Sequence, residues 1–232
     1  MLMAAYHEVG NVEELALRFA KVFTSLQVSY EMLFVLQGDD GAKEGLLDLK
    51  KKGHPIRIVH YPKAIGVGPA FRKGFSVVTP VATHVLTLDA DLNHQPEEVD
   101  RFVSRMRRGD VDVVIGSRLV KGGSMIYRGW LKESVSHLVN FIGPAAFRIP
   151  AKDITSGYRL WKKESLDAVW RKTKARNFEF YPELLLFAAR QGSRMAEVPI
   201  NFRPRTRGKS KMSFATSGWG YCKLFARTLF AR

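Results

Sequence analysis

Two aspartates separated by one residue, Asp89 and Asp91, follow directly on an apolar run, Leu86-Thr87-Leu88. Carboxylates so close repel each other unless a cation or a hydrogen-bond donor lies between them. Hard divalent cations such as Mg²⁺ or Mn²⁺ take carboxylate and phosphate oxygens together, so this pair can hold a metal that also grips a diphosphate. The competing reading is an Asp-rich turn that caps the next helix. It suits Asp91 or Asn93 better than it suits the pair, because a buried strand leads straight into Asp89. In open α/β sheets ligands bind beyond the carboxyl ends of strands, and that is where such a pair would stand.

The surrounding pattern supplies that kind of sheet. Tyr30 to Leu36, Ile56 to Tyr61, His84 to Leu88 and Val111 to Ile115 are short, apolar and rich in β-branched or aromatic residues, as buried strands are. Helical patterns alternate with them. Asn11 to Ser25 opens with Asn11 as N-cap and Glu14 as its capping-box partner. Pro96 to Arg108 opens with proline at the first turn. This alternation predicts an α/β fold with a mainly parallel sheet covered by helices on both faces. Further on, Tyr127 to Ile142 reads as a long helix stopped by Gly143-Pro144. Asp153 to Trp161 reads as a strand or strand-like loop, Glu164 to Lys172 and Tyr181 to Gln191 as helices, and Met195 to Phe202 as a strand. Arg203 to Ser213 is polar and basic, a loop, and Phe214 to Arg232 closes the chain as a helix.

The 232 residues carry 37 Lys and Arg against 22 Asp and Glu, a formal +15. That surplus favours anionic partners without choosing among nucleic acid, anionic lipid and phosphorylated small molecules. No acidic residue follows Glu197. Cys222 is the sole cysteine, which rules out an internal disulfide or a Cys-based metal site and fits a reducing compartment. No apolar run approaches the ~18 to 20 residues of a membrane span, and no signal peptide is visible. The six histidines have no zinc-like spacing.

The run TLDADLNHQPEEV resembles the dolichol-phosphate mannosyltransferase group of the inverting family 2 glycosyltransferases, which have the GT-A fold. Other segments carry the same likeness, in the same order. Gly116-Ser117-Arg118 with Lys121-Gly122-Gly123 resembles the family's GSR-x-x-x-GG. Asp153 to Arg159 (DITSGYR) resembles its D-x-T-S-G-[FY]-R. Glu197-Val198-Pro199-Ile200 followed by Arg205, Gly208, Ser210 and Lys211 resembles its EVPI…R-x-x-G-x-SK. The likeness covers nearly the whole chain.

The resemblance implies a Rossmann-like GT-A domain over residues 1–213, with a nucleotide half to about residue 118 and an acceptor half after it. An amphipathic helix over 214–232 would meet a membrane interface. The donor, a nucleotide diphosphate sugar, would be held by Tyr6, Glu8, Asp89, Ala90, Asp91, Arg118, Arg205 and Lys211. In the family's second Asp motif two registers are open, one placing Asp39 and Asp40 on the family's pair and the other placing Gln37 on its first Asp. Asp89 and Asp91 would bind Mg²⁺ or Mn²⁺, with Asn93 reaching it through water. Arg118 offers a planar fork to phosphate oxygens. Arg118, Lys132 and Ser136 would hold the phosphate of a polyprenyl or dolichyl acceptor. Asp89, Asp91 and Arg118 would be the catalytic set.

A phosphate monoester acceptor is already anionic, so no indispensable general base is expected, and the anomeric carbon should invert. GDP-mannose is the default donor and a UDP-sugar the competitor. The expected setting is peripheral, at the cytoplasmic face of an anionic membrane, with a small membrane-anchoring protein as a possible partner. Phe214 to Arg232 can equally be an amphipathic helix packed on the domain. A glycosyltransferase with a non-lipid acceptor and an inactive nucleotide-binding relative are the alternatives within the fold; the processive Q-x-x-R-W motif is absent. A nucleic-acid-binding module is disfavoured, because no such motif is present.

Overall fold

The computed structural model describes residues 1–126, 130–205 and 214–230, without the side chains of 130–133, 135, 214–217, 229 and 230. The chain begins β1 (Leu2–Tyr6), α1 (Asn11–Ser25), β2 (Met32–Gln37), α2 (Ala42–Lys51), β3 (Ile56–Tyr61), α3 (Val67–Ser76) and β4 (His84–Asp89). A 3₁₀ turn at Pro96–Glu98 runs into α4 (Val99–Met106), followed by β5 (Val113–Ser117), β6 (Ser124–Met125) and α5 (Trp130–Phe147). Then come β7 (Arg159–Lys162), α6 (Lys163–Asp167), α7 (Phe180–Arg190), β8 (Met195–Pro199), β9 (Asn201–Phe202) and α8 (Phe214–Phe230).

Seven strands form one sheet in the order β3-β2-β1-β4-β7-β5-β8. Only β7 runs antiparallel to its neighbours in it. The alternation expected of buried strands is plain in β2: Leu33 and Val35 enter one core, Met32, Phe34 and Leu36 the other. The first core lies under α3, α5, α7 and α8, the second under α1, α2 and α4. Because β7 is reversed, its starting end lies at the same edge as the carboxyl ends of β1, β2, β4 and β5. That edge therefore gathers Tyr6, Gln37, Asp89, Ser117 and Arg159.

Two local expectations are corrected. Asn11 is not an N-cap; Gly10, at φ 79°, precedes the helix, and Asn11 is already helical, its Nδ2 donating to Glu8 Oε2 at 2.7 Å. Gly143-Pro144 does not stop α5, which continues to Phe147. Gly143 serves close packing instead, since a Cβ there would lie 2.5 Å from Ile154 Cδ1. Burial of the helix end, where the Phe147 and Phe225 rings meet at 4.5 Å, offsets the ~3 kcal/mol that an interior proline costs.

Candidate active site

The turn after β4 is built around Asp91. Its Oδ1 accepts from the Asn93 backbone N–H at 3.2 Å and its Oδ2 from Asn93 Nδ2 at 2.9 Å. Leu92 between them takes φ 61°, a left-handed conformation that a leucine adopts only where its surroundings impose it. Ala90 turns into the core. Asp89 Oδ1 accepts a short hydrogen bond from the Tyr181 hydroxyl. Burial, then the charge of Asp91, pushes the Asp89 carboxyl up to about 7, against the Tyr181 hydrogen bond and the Arg205 charge.

Arg205 crosses this site. It donates to Asp91 Oδ2 at 2.8 Å and to Glu8 Oε1 at 3.0 Å. A cationic group thus already stands among carboxylates that converge from β4 and from the loop after β1. Asn93 Oδ1 is buried with no hydrogen-bond partner among the described residues. Carboxylate oxygens and an orphaned amide oxygen are hard donors that suit Mg²⁺ or Mn²⁺. Among the described residues, no three His, Cys, Asp or Glu side chains gather into a self-sufficient metal site. Such a set fits an ion that completes its sphere with substrate phosphate and water. His94 is buried between Tyr158 and Phe202, and burial lowers its pKa to about 4, so it is a neutral packing group.

At the neighbouring strand tips, β1 and β2 pair Tyr6 with Gln37. Tyr6 is exposed, its ring 4.4 Å from that of His7. Gly38 lies beneath that histidine, where a Cβ would come within 2.8 Å of the ring. Gln37 is buried, and its Oε1 accepts from the N–H groups of Ile65 (2.7 Å) and Gly66 (3.0 Å), fixing the turn into α3. Asp39 stands outside, paired with His60 at 3.0 Å. Asp40 accepts from Val9 N–H at 2.9 Å and from Ala42 N–H at 3.2 Å. Replacing Gln37 with alanine orphans two backbone donors, so a loss of about 1–3 kcal/mol is expected in chemical denaturation. Unchanged stability would show that the turn holds itself.

Arg118 is placed differently from a side chain held out toward phosphate. Its Nε and Nη2 form a bidentate pair with Asp153 (2.7 and 2.6 Å), and Nη2 also donates to Thr155 Oγ1 at 2.7 Å. The Phe202 ring lies 5.4 Å from the guanidinium. Burial alone would raise the Asp153 carboxyl, but the charge and hydrogen bonds of Arg118 outweigh it and hold the carboxyl below its usual range. Ser136 Oγ lies 3.1 Å from Thr155 Oγ1, and Asn140 braces the same loop through Asp153 and the Ile154 and Thr155 N–H groups. Glu197 of β8 accepts from the Lys152 and Asp153 N–H groups. Arg118 and Ser136 thus meet in one polar cluster. The Lys132 side chain and Lys211 lie outside the described residues. The sequence pattern had not singled out Tyr181 or Asn140, and it marked Glu197 only as part of a motif. Asp153 and Thr155 stood in a recognisable motif, but nothing local marked them as partners of Arg118.

With this geometry in view, the comparisons are decisive about kinship. Residues 2–170 match the family described as "Glycosyl transferase family 2". The chain belongs to that family. An undecaprenyl-phosphate mannosyltransferase of Micrococcus luteus is 32% identical over 185 residues, covering 77% of this chain and 75% of that protein. A polyprenol monophosphomannose synthase of Mycolicibacterium smegmatis is 31% identical over 201 residues, covering 80% and 76%. Among solved structures, mannosyl-3-phosphoglycerate synthase from Rubrobacter xylanophilus superimposes with a TM-score of 0.74 at 15% identity, over 99% of this chain and 73% of that one. Glucosyl-3-phosphoglycerate synthase from Mycobacterium tuberculosis, in complex with Mn²⁺, UDP and glucosyl-3-phosphoglycerate, does so with 0.68 at 18% identity, over 99% and 77%. The family 2 member described here is a glycosyltransferase, and its mainly parallel helix-flanked sheet is a GT-A fold like that of the solved neighbours.

Proposed function

We propose that this glycosyltransferase moves a hexose, mannose from GDP-mannose in the first instance, onto polyprenyl phosphate with inversion and with a divalent cation. The observation that carries the chemistry is the convergence of Asp89, Asp91 and Asn93 with Glu8 and Arg205 at the carboxyl edge of the sheet. The two bacterial relatives, whose names give a polyprenyl phosphate acceptor, support the choice of substrate.

In this reading Asp89, Asp91 and Asn93 would hold Mg²⁺ or Mn²⁺, which would supply positive charge at the departing diphosphate. Arg205, already at Asp91, adds a second cation on that side. Ser136 and Thr155 offer hydroxyls to the acceptor phosphate beside Arg118, whose orientation Asp153 fixes. The acceptor oxygen attacks as an anion, so no side chain need take a proton from it. The site's task is to bring two anions together and to stabilise charge as it moves to the leaving group.

The acceptor's lipid also needs a surface. Among the described residues no helix is long and apolar enough to cross a membrane. Much of the apolar face of α8 is used inside the protein, since Tyr221 and Leu224 are buried and Phe225 packs on Phe147. Trp219 remains exposed, with Lys223 over its ring. On α5, Leu138, Phe141 and Ile142 share one helix face and are exposed by 58, 85 and 45%. We assign contact with an anionic membrane surface to α5 as well as α8. Phe141→Glu is expected to weaken co-sedimentation with anionic vesicles about tenfold or more, as loss of one buried aromatic and gain of a negative charge require. Equal sedimentation would remove α5 from the interface.

The function is tested by mixing labelled GDP-mannose, or a panel of UDP-sugars, with polyprenyl phosphate and Mg²⁺ or Mn²⁺, then extracting lipid. Organic-phase label that EDTA abolishes is expected. No label with any donor, alongside intact nucleotide binding, would turn the reading to another acceptor or to an inactive relative.

A further inference from the structure

The hydroxyl of Tyr181 is the group that meets Asp89 from inside the protein, and the surroundings of that tyrosine are built to keep it there. Its ring is buried on α7, packed against Phe71 at 5.8 Å and Phe180 at 5.9 Å. Gly157 passes so close that a Cβ there would lie 2.9 Å from Tyr181 Cε1 and Cζ and 3.1 Å from its hydroxyl. Thr87, two residues before Asp89, donates to the Gly157 carbonyl at 3.0 Å and so ties β4 to that glycine. Arg159, also buried, donates to the Tyr181 carbonyl at 2.7 Å and to the Ile154 carbonyl at 2.8 Å, with its guanidinium 5.6 Å from the Tyr181 ring. Gly157 therefore provides the space for the ring, Arg159 fixes the backbone that bears it, and the hydroxyl reaches the carboxylate.

We propose that Tyr181 is a positioning residue for the divalent cation, holding Asp89 by one oxygen so that the other faces the donor site. The inference rests on the metal-assisted reading above and deepens it. A carboxylate held by an outer hydrogen bond binds a cation without first losing its rotational freedom, and such outer partners are typically worth about 10- to 100-fold in metal affinity. It also gives Gly157 and Arg159 a purpose: they support Asp89 through Tyr181, whereas Asp153 and Thr155 just before them hold Arg118.

The test is Mn²⁺ binding followed by electron paramagnetic resonance, with the full chain and saturating GDP or UDP. Tyr181→Phe keeps the ring and its packing and removes only the hydroxyl. Gly157→Ala keeps the hydroxyl and displaces the ring. Both are expected to weaken Mn²⁺ by about 10- to 100-fold, and raising Mn²⁺ should restore much of the transfer rate of Tyr181→Phe. Phe19→Leu, in the core beneath α1 on the other face of the sheet, destabilises the fold without touching this chain of contacts and should leave the Mn²⁺ affinity unchanged. Wild-type affinity in Tyr181→Phe would overturn the proposal and leave the metal-assisted reading intact. A wild-type protein that binds no Mn²⁺ with either nucleotide would overturn both.

Discussion

Asp91→Asn is expected to lower kcat/KM for sugar transfer by at least about 10³-fold, roughly 4 kcal/mol of transition-state stabilisation. Its stability should change by no more than about 1 kcal/mol. The asymmetry follows from the contacts. Asparagine keeps one oxygen for the Asn93 backbone N–H, and Arg205 keeps Glu8 at 3.0 Å. What disappears is the negative charge that balances Arg205 and that, in the proposed function, holds the cation against the leaving diphosphate. If Asp91 merely capped a turn, asparagine would serve as well, since both residues cap efficiently. Activity within about tenfold of wild type, in the lipid-extraction assay, would establish the capping role and displace the metal.

The second large effect concerns stability. Asp153 is fully buried and the Arg118 side chain is only 5% exposed. Asp153→Ala leaves that guanidinium buried without its carboxylate, which costs about 3–5 kcal/mol. A chain of this size loses about 2–4 °C per kcal/mol, so Tm should fall on the order of 10 °C. Removing both charges with Arg118→Met and Asp153→Leu together should recover only the part of the loss that comes from the unpaired guanidinium, because the Arg118 and Ser156 N–H groups and Asn140 Nδ2 still lose their acceptor. Transfer should not recover, because in the proposed function the acceptor phosphate loses the cation beside Ser136 and Thr155. A double variant that regained both Tm and activity would show the pair to be structural alone.

The parts of the fold that were legible in the sequence are those with local causes. The Leu86 to Leu88 strand, the proline at the head of the 96–98 turn and the apolar periodicity of α1 and α7 are all set by neighbours in the chain. Misreadings arose where a local signal had a distant purpose. Gly143 looked like a helix stop and is a point of close approach to Ile154. Asn11 looked like a cap and is bonded to Glu8 from inside the helix. The site was legible as a set of motifs but not as a set of contacts. Arg118 lies 35 residues from Asp153, and Tyr181 lies 92 residues from Asp89. No periodicity or spacing rule reaches across such separations; the reversal of β7 between β4 and β5 brings the segment before it to that edge, and Arg159 at its start holds the Tyr181 carbonyl. Glycine spacing leaves two registers for the second Asp motif; the structure sets Gln37 beside Tyr6 and pairs Asp39 with His60.

The link between Glu8 and Arg205 joins residues 197 apart in the chain. During synthesis the ribosome releases β1, β2, β3 and β4 long before Arg205 emerges, and a nascent chain of that length can already bury much of the core beneath α1 and α2. The carboxylates at the sheet edge then wait without their guanidinium until β8 has docked beside β5. Closing this link, which in the proposed function completes the donor site, is thus expected late in folding, set by long-range loop closure rather than by any local element. A nascent chain would acquire a structured sheet well before it could grip a sugar nucleotide, so the competence to consume donor arrives only with a nearly finished domain.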